Sequence, residues 1–247
     1  VYLGVSGDGD SASIGMGQFV HVIRRNLNMV YIVMNNGCYG LTKGQDSATA
    51  DVGSKSKSGS INQFEGIDLC GLAIELGATF VAQSFSGDKS QLIPIIQAAI
   101  SHPGFALINV LSPCVTFNNN VGSTKSYDYV RQHIEATSTV DFVPFMNEIK
   151  TDYQNDEVKM VEMHDGSWLR LHKLSQSWNP DDKLSAINAL QNSHLNQEIL
   201  TGILYIDNKS LETHALLGTT EIPLNKLDES TLCPKVGFLE ELNSSFR

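Results

Sequence analysis

Apolar and polar positions alternate along this chain in two periods, and the first half reads as a succession of strands and helices. Val1–Ser6 is a short apolar run ending in glycine and predicts a buried strand. Over Ile14–Leu27 the residues Ile14, Phe19, Val22, Ile23 and Leu27 fall on helical spacing, with Arg24 and Arg25 near the end that suits a cation. Met29–Met34 is a continuous apolar run of strand length, followed by a Gly/Ser/Lys-rich loop from about Cys38 to Gln63. Ile67–Leu76 predicts a helix stopped by Gly77, Thr79–Gln83 a strand, Ser90–His102 a helix closed by Pro103-Gly104, and Phe105–Leu111 another buried strand. Strands alternating with helices in this way predict an α/β fold with a doubly wound parallel sheet.

Beyond about Ser123 the pattern becomes more polar and more mixed. Helices are expected over Tyr127–Glu135, Asp141–Lys150 and Leu184–His194, and a strand over Gly202–Asp207. Val158–Leu174 suggests a hairpin turning at His164-Asp165-Gly166-Ser167. The expected organisation is an α/β domain over 1–123 and a mixed C-terminal extension over 124–247, packing on the sheet or on a partner subunit. There is no internal repeat.

Composition narrows the class. Among 247 residues 41% are hydrophobic and 18% charged, ordinary values for a globular protein. Seventeen basic against 27 acidic residues give a formal net charge of −10, which argues against nucleic acid or an anionic membrane surface as partner. No apolar run reaches the roughly 18 residues that a membrane helix needs. The four cysteines, Cys38, Cys70, Cys114 and Cys233, include no CxxC pair, so neither a zinc site nor a disulfide framework is indicated, and reduced thiols in the cytoplasm are expected. The chain opens on a strand without a starting Met, so an N-terminal segment is expected to precede it.

The candidate chemistry lies in Gly7-Asp8-Gly9-Asp10 and Asn35-Asn36, each directly after a strand. Ligands of open α/β sheets sit at that carboxyl edge. Glycines let a ligand approach the backbone, and Asp8 and Asn36 offer hard oxygens suited to Mg²⁺, which commonly bridges to phosphate. A competing reading is the dinucleotide fingerprint, which Gly7-x-Gly9-x-x-Ala12 also matches. That motif wants an acidic residue about 20 positions on, yet no Asp or Glu occurs between Asp10 and Asp46, so it fails. A second alternative is that Asp8 simply caps the following helix.

The spacing of GDG and NN resembles the thiamine-diphosphate motif. His21-x-x-Arg24-Arg25-Asn26, then Asn35-Asn36-x-x-Tyr39-Gly40-Leu41-Thr42-Lys43-Gly44-Gln45, resembles more narrowly the β subunit of 2-oxoacid:ferredoxin oxidoreductases. Ser112-Pro113-Cys114-Val115-Thr116-Phe117-Asn118 is similar to the same family, as are, more weakly, His164–Ser167 and Gly202-Ile203-Leu204-Tyr205. The resemblance implies the thiamine-diphosphate-binding fold and CoA-dependent oxidative decarboxylation of a 2-oxoacid such as pyruvate or 2-oxoglutarate, with 2-oxoglutarate preferred. Electrons would pass to ferredoxin, and an α subunit would be needed as partner, supplying the glutamate for the thiamine pyrimidine ring.

Residue by residue, it implies Asp8, Asn36 and the carbonyl of Cys38 as Mg²⁺ ligands. Gly7, Gly9, Gly40, Leu41 and Thr42 would lie along the diphosphate, and Lys43 near the substrate carboxylate or coenzyme A. Cys114 would be one thiolate of a [4Fe–4S] cluster whose other three lie N-terminal to GDG. Cys114 is therefore expected to stand alone here, with no second cysteine beside it. Departures are Ser47-Ala48-Thr49 in place of Ser-Pro-Thr and Gly17-Gln18 in place of Asn-His; both bear on substrate preference. Two bland readings remain open: Lys43, like Lys55 and Lys57, as a solvated loop charge, and Cys114 as an inert thiol. So do two other classes, a non-redox thiamine-dependent decarboxylase or synthase subunit and a non-catalytic assembly subunit.

Overall fold

The computed structural model describes residues 1–54, 56, 59–114, 116, 124–136, 158–162, 168–172, 178–233 and 237–246, with backbone alone for 135–136, 158–162 and 168–172. The expected helix Asp141–Lys150, the turn His164–Ser167, Lys55, Lys57, Val115, Phe117 and Asn118 lie outside the described residues. Two compact units emerge, Val1–Thr213 and His214–Arg247.

The first unit is built on one sheet. Its strands are β1 (Tyr2–Gly7), β2 (Met29–Asn35), β5 (Phe80–Phe85), β6 (Phe105–Leu111), β7 (Ile134–Ala136) and β10 (Ile199–Ile206), in the order β1-β2-β6-β5-β10-β7. The run from β1 to β5 is parallel, as the alternation of elements predicts, and β10 joins antiparallel to β5. Two short antiparallel pairs stand apart from it: β3 (Cys38–Tyr39) with β4 (Gln45–Asp46), and β8 (Val158–Glu162) with β9 (Trp168–His172), the latter within the expected hairpin.

Helices lie on both faces. Met16–Arg24 (α1), Leu69–Glu75 (α2) and Lys183–Leu195 (α5) cover one face, where Phe19, Ile23, Ile74 and Leu190 meet Val33, Phe105, Leu107 and Val81. Lys89–Ser101 (α3) covers the other through Ile95 and Ala99, against Val30, Ile32, Phe80 and Ile108. Central β6 is buried along its whole length, which explains its unbroken apolar run. The α4 helix (Tyr127–His133) is capped by Ser126, and the buried Lys125–Asp51 ion pair of 2.8 Å ties the preceding residues to the long loop.

Three expectations change. The first strand is not buried: β1 pairs only with β2 among the described residues, and Tyr2, Leu3 and Val5 are each more than 60% exposed. An apolar run reports a tendency to pair but not what covers the pair. The helix expected from Ile14 is in two pieces, a π-wound turn at Gly9–Ile14 and then α1. The phase shift between them leaves Ile14 exposed, off the apolar stripe. Finally, the break in packing lies at residue 213, not near 123, because β10 and α5 build the main sheet's own core. Beyond α6 (Thr213–Leu217), the described residues of the second unit form a 3-10 turn at Leu224–Lys226 and the short helices α7 (Glu229–Leu232) and α8 (Phe238–Ser244).

At the amino end of the sheet His102 is 6% exposed, its Nε2 2.8 Å from Thr79 Oγ1. Burial lowers its pKa to about 4, with Asp207 partly opposing. The fold thus prefers the neutral ring, and the unfolded chain binds the extra proton between about pH 6.5 and 4. This contribution is complete above 6.5 and is lost as pH falls toward 4. Stability should drop by about 2 kcal/mol from this group between pH 7 and pH 5. Urea unfolding of wild type and His102→Gln at both pH values checks this: the extra loss should be missing from the variant.

Candidate cofactor site

Because β1 and β2 run parallel in register, with Gly7 opposite Met34, the GDG and NN segments leave the sheet side by side. Asp8 is 1% exposed. Its side chain makes no bond to cap the following turn, which removes the capping alternative. Instead Oδ1 accepts from the Asn36 backbone nitrogen at 3.3 Å, while Oδ2 receives the hydroxyls of Ser47 and, at 2.6 Å, Thr49. No cation partners Asp8 among the described residues. A buried carboxylate normally has a counter-charge or binds a metal, and oxygen donors of this kind suit a hard divalent ion.

Asn36 Oδ1 lies next in the arrangement, accepting from the backbone nitrogen of Cys38 at 3.0 Å and from its thiol at 3.3 Å. One carboxylate, one amide oxygen and the nearby Cys38 backbone thus converge at the carboxyl edge. Tyr39, from the same loop, donates its hydroxyl to Gly9 O at 2.9 Å. A Cβ on Gly9 would come within 2.4 Å of the Tyr39 ring, so only glycine lets this loop close on the GDG turn. Tyr39 is therefore a clasp between the two motifs.

The remaining candidates are not gathered there. Gly40, Leu41, Thr42 and Lys43 form the exposed tip between β3 and β4, with Thr42 donating to Gln45. Lys43 has φ +81, a left-handed conformation that costs a non-glycine residue about 1–2 kcal/mol. Such strain in an exposed loop next to a polar cluster is a feature of functional loops.

Cys114 is half-buried on the loop after β6, anchored where Ser112 N donates to Asn35 O at 2.8 Å. The expectation that no cysteine lies beside it is corrected: the Cys38 and Cys114 thiols are neighbours, close enough for Cys114 to raise the Cys38 pKa. The cause is strand order. With β2 and β6 adjacent and Asn35 opposite Leu111, the chain leaves both strands at the same place. Burial, then Cys114, Asp8 and Asp46, push the Cys38 thiol up to about 12. Among the described residues no three His, Cys, Asp or Glu side chains are grouped to hold a metal.

Ser47 and Thr49 were legible only as the flanks of a motif that departs at Ala48, yet both grip Asp8. Buried Asn35 accepts from Thr49 at 3.0 Å and was noted only as the neighbour of Asn36.

Residues 2–110 match the family described as thiamine pyrophosphate enzyme, C-terminal TPP binding domain. That stretch is similar to a TPP-binding domain. The 2-oxoacid:ferredoxin oxidoreductase β subunit of Saccharolobus solfataricus is 47% identical over 123 residues, which is 49% of this chain and 40% of that protein. The 2-oxoglutarate oxidoreductase subunit KorB of Mycobacterium tuberculosis is 38% identical over 129 residues, covering 52% and 33%. The expected resemblance is borne out over the TPP-binding domain, and the chain spans about two fifths or less of these relatives' length. A solved 2-oxoglutarate:ferredoxin oxidoreductase from Magnetococcus marinus, bound to 2-oxoglutarate, coenzyme A and succinyl-CoA, superimposes with a TM-score of 0.67. It covers 97% of this chain and 65% of its own at 24% identity, and so bears out the α/β fold.

Proposed function

We propose that the TPP-binding domain serves the β subunit of a 2-oxoacid:ferredoxin oxidoreductase that decarboxylates a 2-oxoacid oxidatively with coenzyme A. The observation that carries this reading is the buried Asp8 carboxylate, without a cationic partner among the described residues and bonded to the Asn36 backbone nitrogen, at the edge where parallel sheets bind ligands. Asp8, Asn36 and the Cys38 carbonyl hold Mg²⁺. Gly7, Gly9, Gly40, Leu41 and Thr42 lie along the diphosphate. Bound thiamine diphosphate supplies the electron sink for decarboxylation. The protein's own work is to neutralise the diphosphate through the cation, orient the ring and steer substrate. Lys43, a compact cation on the loop that leaves this edge, meets the carboxylate of the 2-oxoacid or the phosphates of coenzyme A. The KorB relatives support 2-oxoglutarate as substrate.

Cys114 is one ligand of a [4Fe–4S] cluster completed by three thiolates that the family resemblance places upstream of GDG. An α subunit supplies the pyrimidine-activating glutamate, and ferredoxin takes the electrons. No described helix is long and apolar enough to cross a membrane, and the reduced thiols suit the cytoplasm.

The test is turnover. The full-length subunit assembled with its α partner should reduce ferredoxin only when 2-oxoacid and coenzyme A are both present, and the chain of 247 residues alone should not. Turnover by the purified chain alone would refute the reading. In the assembled enzyme Lys43→Ala should raise the KM for 2-oxoacid or coenzyme A about tenfold or more, since a charge-assisted hydrogen bond contributes about 1.5–3 kcal/mol. If neither constant moves, Lys43 is a solvated charge.

A further inference from the structure

We infer that a directed chain of buried amides crossing the sheet sets the orientation of the Asp8 carboxylate, which makes Asn109 and Gln83 positioning residues for the divalent cation. This rests on the cation site proposed above.

Asn109 is the one polar residue in the apolar run of β6, and Gln83 is its partner in register on β5. Asn35 stands diagonally across on β2, opposite Leu111. All three point to the face covered by α1, α2 and α5. Asn35 and Asn109 are each 4% exposed. An apolar residue at 109 would serve packing as well, and a buried amide destabilises unless every polar atom is paired.

Here they are paired, and in one direction only. The chain starts at the Leu200 carbonyl, which can only accept, so the nitrogen of Gln83 must face it, at 2.7 Å. Gln83 Oε1 then accepts from Asn109 Nδ2 at 2.7 Å, and Asn109 Oδ1 accepts from Asn35 Nδ2 at 3.2 Å. One fixed carbonyl thereby settles which way all three amides point, an assignment otherwise open for Asn and Gln. The last group in line is Asn35 Oδ1, 3.0 Å from Thr49 Oγ1. That same hydroxyl is 2.6 Å from Asp8 Oδ2 and 3.1 Å from Ser47 Oγ. Thr49, with one proton to give, is thus held between two acceptors, the end of the amide chain and the carboxylate. Oδ2 is taken up by protein hydroxyls, and Oδ1 is left toward Asn36 and the carboxyl edge. The cation meets a carboxylate already turned for one-oxygen coordination, and partners of this outer kind typically set metal affinity by 10–100-fold.

The experiment measures Mg²⁺ affinity by calorimetry at saturating thiamine diphosphate, in the full-length subunit assembled with its α partner and stripped of metal. Asn109→Leu removes the link. Asn109→Asp keeps its size but sets an acceptor against Gln83 Oε1. Gln83→Met breaks the chain at its half-buried far end and preserves volume should position 109 fail to fold. Each should weaken Mg²⁺ binding about tenfold. Adding Asn109→Leu to Thr49→Val should cost nothing beyond Thr49→Val alone, because the chain acts through Thr49. A merely structural Asn109 would lower the melting temperature and leave the Mg²⁺ constant unmoved. Constants within twofold of wild type in the folded variants, or independent effects of Asn109 and Thr49, overturn the inference. If Asp8→Ala also leaves Mg²⁺ affinity unchanged, the cation site itself is wrong. If Asp8→Ala abolishes it while Asn109 and Gln83 variants do not, only the amide chain is wrong.

Discussion

Replacing Asp8 with alanine is expected to abolish Mg²⁺-dependent binding of thiamine diphosphate and to leave the domain folded. Asp8 is the only carboxylate of the proposed donor set and is 1% exposed, so no water-exposed acid can replace it. The diphosphate is itself anionic. Without a divalent ion between them, the remaining oxygens of Asn36 and the Cys38 backbone offer it no attraction. A loss of more than about 100-fold in cofactor affinity follows, beyond the 10–100-fold typical of removing an outer partner. The fold should survive for a local reason. Ser47 and Thr49, which now serve Oδ2, lie 3.1 Å apart and can satisfy each other, and Asn35 still accepts from Thr49. Calorimetry of the assembled enzyme with and without Mg²⁺, beside thermal unfolding, reads both parts. Unchanged cofactor affinity in Asp8→Ala would sink the site.

Much of the fold was legible because its central strands are buried on both faces. The limits of β6 were read as Phe105–Leu111, since a strand covered on two sides must be apolar throughout. The stop at Gly77 was readable too: its φ of +90 is a conformation glycine alone adopts freely. What escaped was non-local. Nothing within Ile199–Ile206 says that it inserts antiparallel beside β5, and nothing in Tyr2–Gly7 says that its faces go uncovered. In the site, Asp8 and Asn36 followed from motif spacing. Asn109 and Gln83 carried a signal that local pattern could have raised, a lone amide in each of two apolar strands, but only register shows that they meet. Cys38 and Cys114 are 76 positions apart and adjoin solely because β2 and β6 are neighbours.

That adjacency sharpens the last prediction. In the full-length subunit, reconstituted anaerobically with its partner, Cys114→Ala is expected to lose the [4Fe–4S] cluster, whereas Cys38→Ala is expected to keep it. Such a cluster is held by four thiolates, and the thiolate is the ligand, not the thiol. The two sulfurs compete for the role because they are neighbours. Cys38 is the poorer candidate: it is buried, its thiol is pushed up to about 12, and its proton is already given to Asn36 Oδ1 at 3.3 Å. Its backbone, not its sulfur, belongs to the proposed cation site. Cys114 is half-buried, on a loop tied to β2 through Ser112, and so is the more accessible of the two. Iron content and the EPR signal of the reduced cluster read the result. Full iron with an unchanged signal in Cys114→Ala removes it as a ligand and leaves the cluster to other thiolates. Loss of iron in Cys38→Ala with retention in Cys114→Ala moves the ligand to Cys38, which would then have to give up its bond to Asn36 and shed a proton that burial now holds in place.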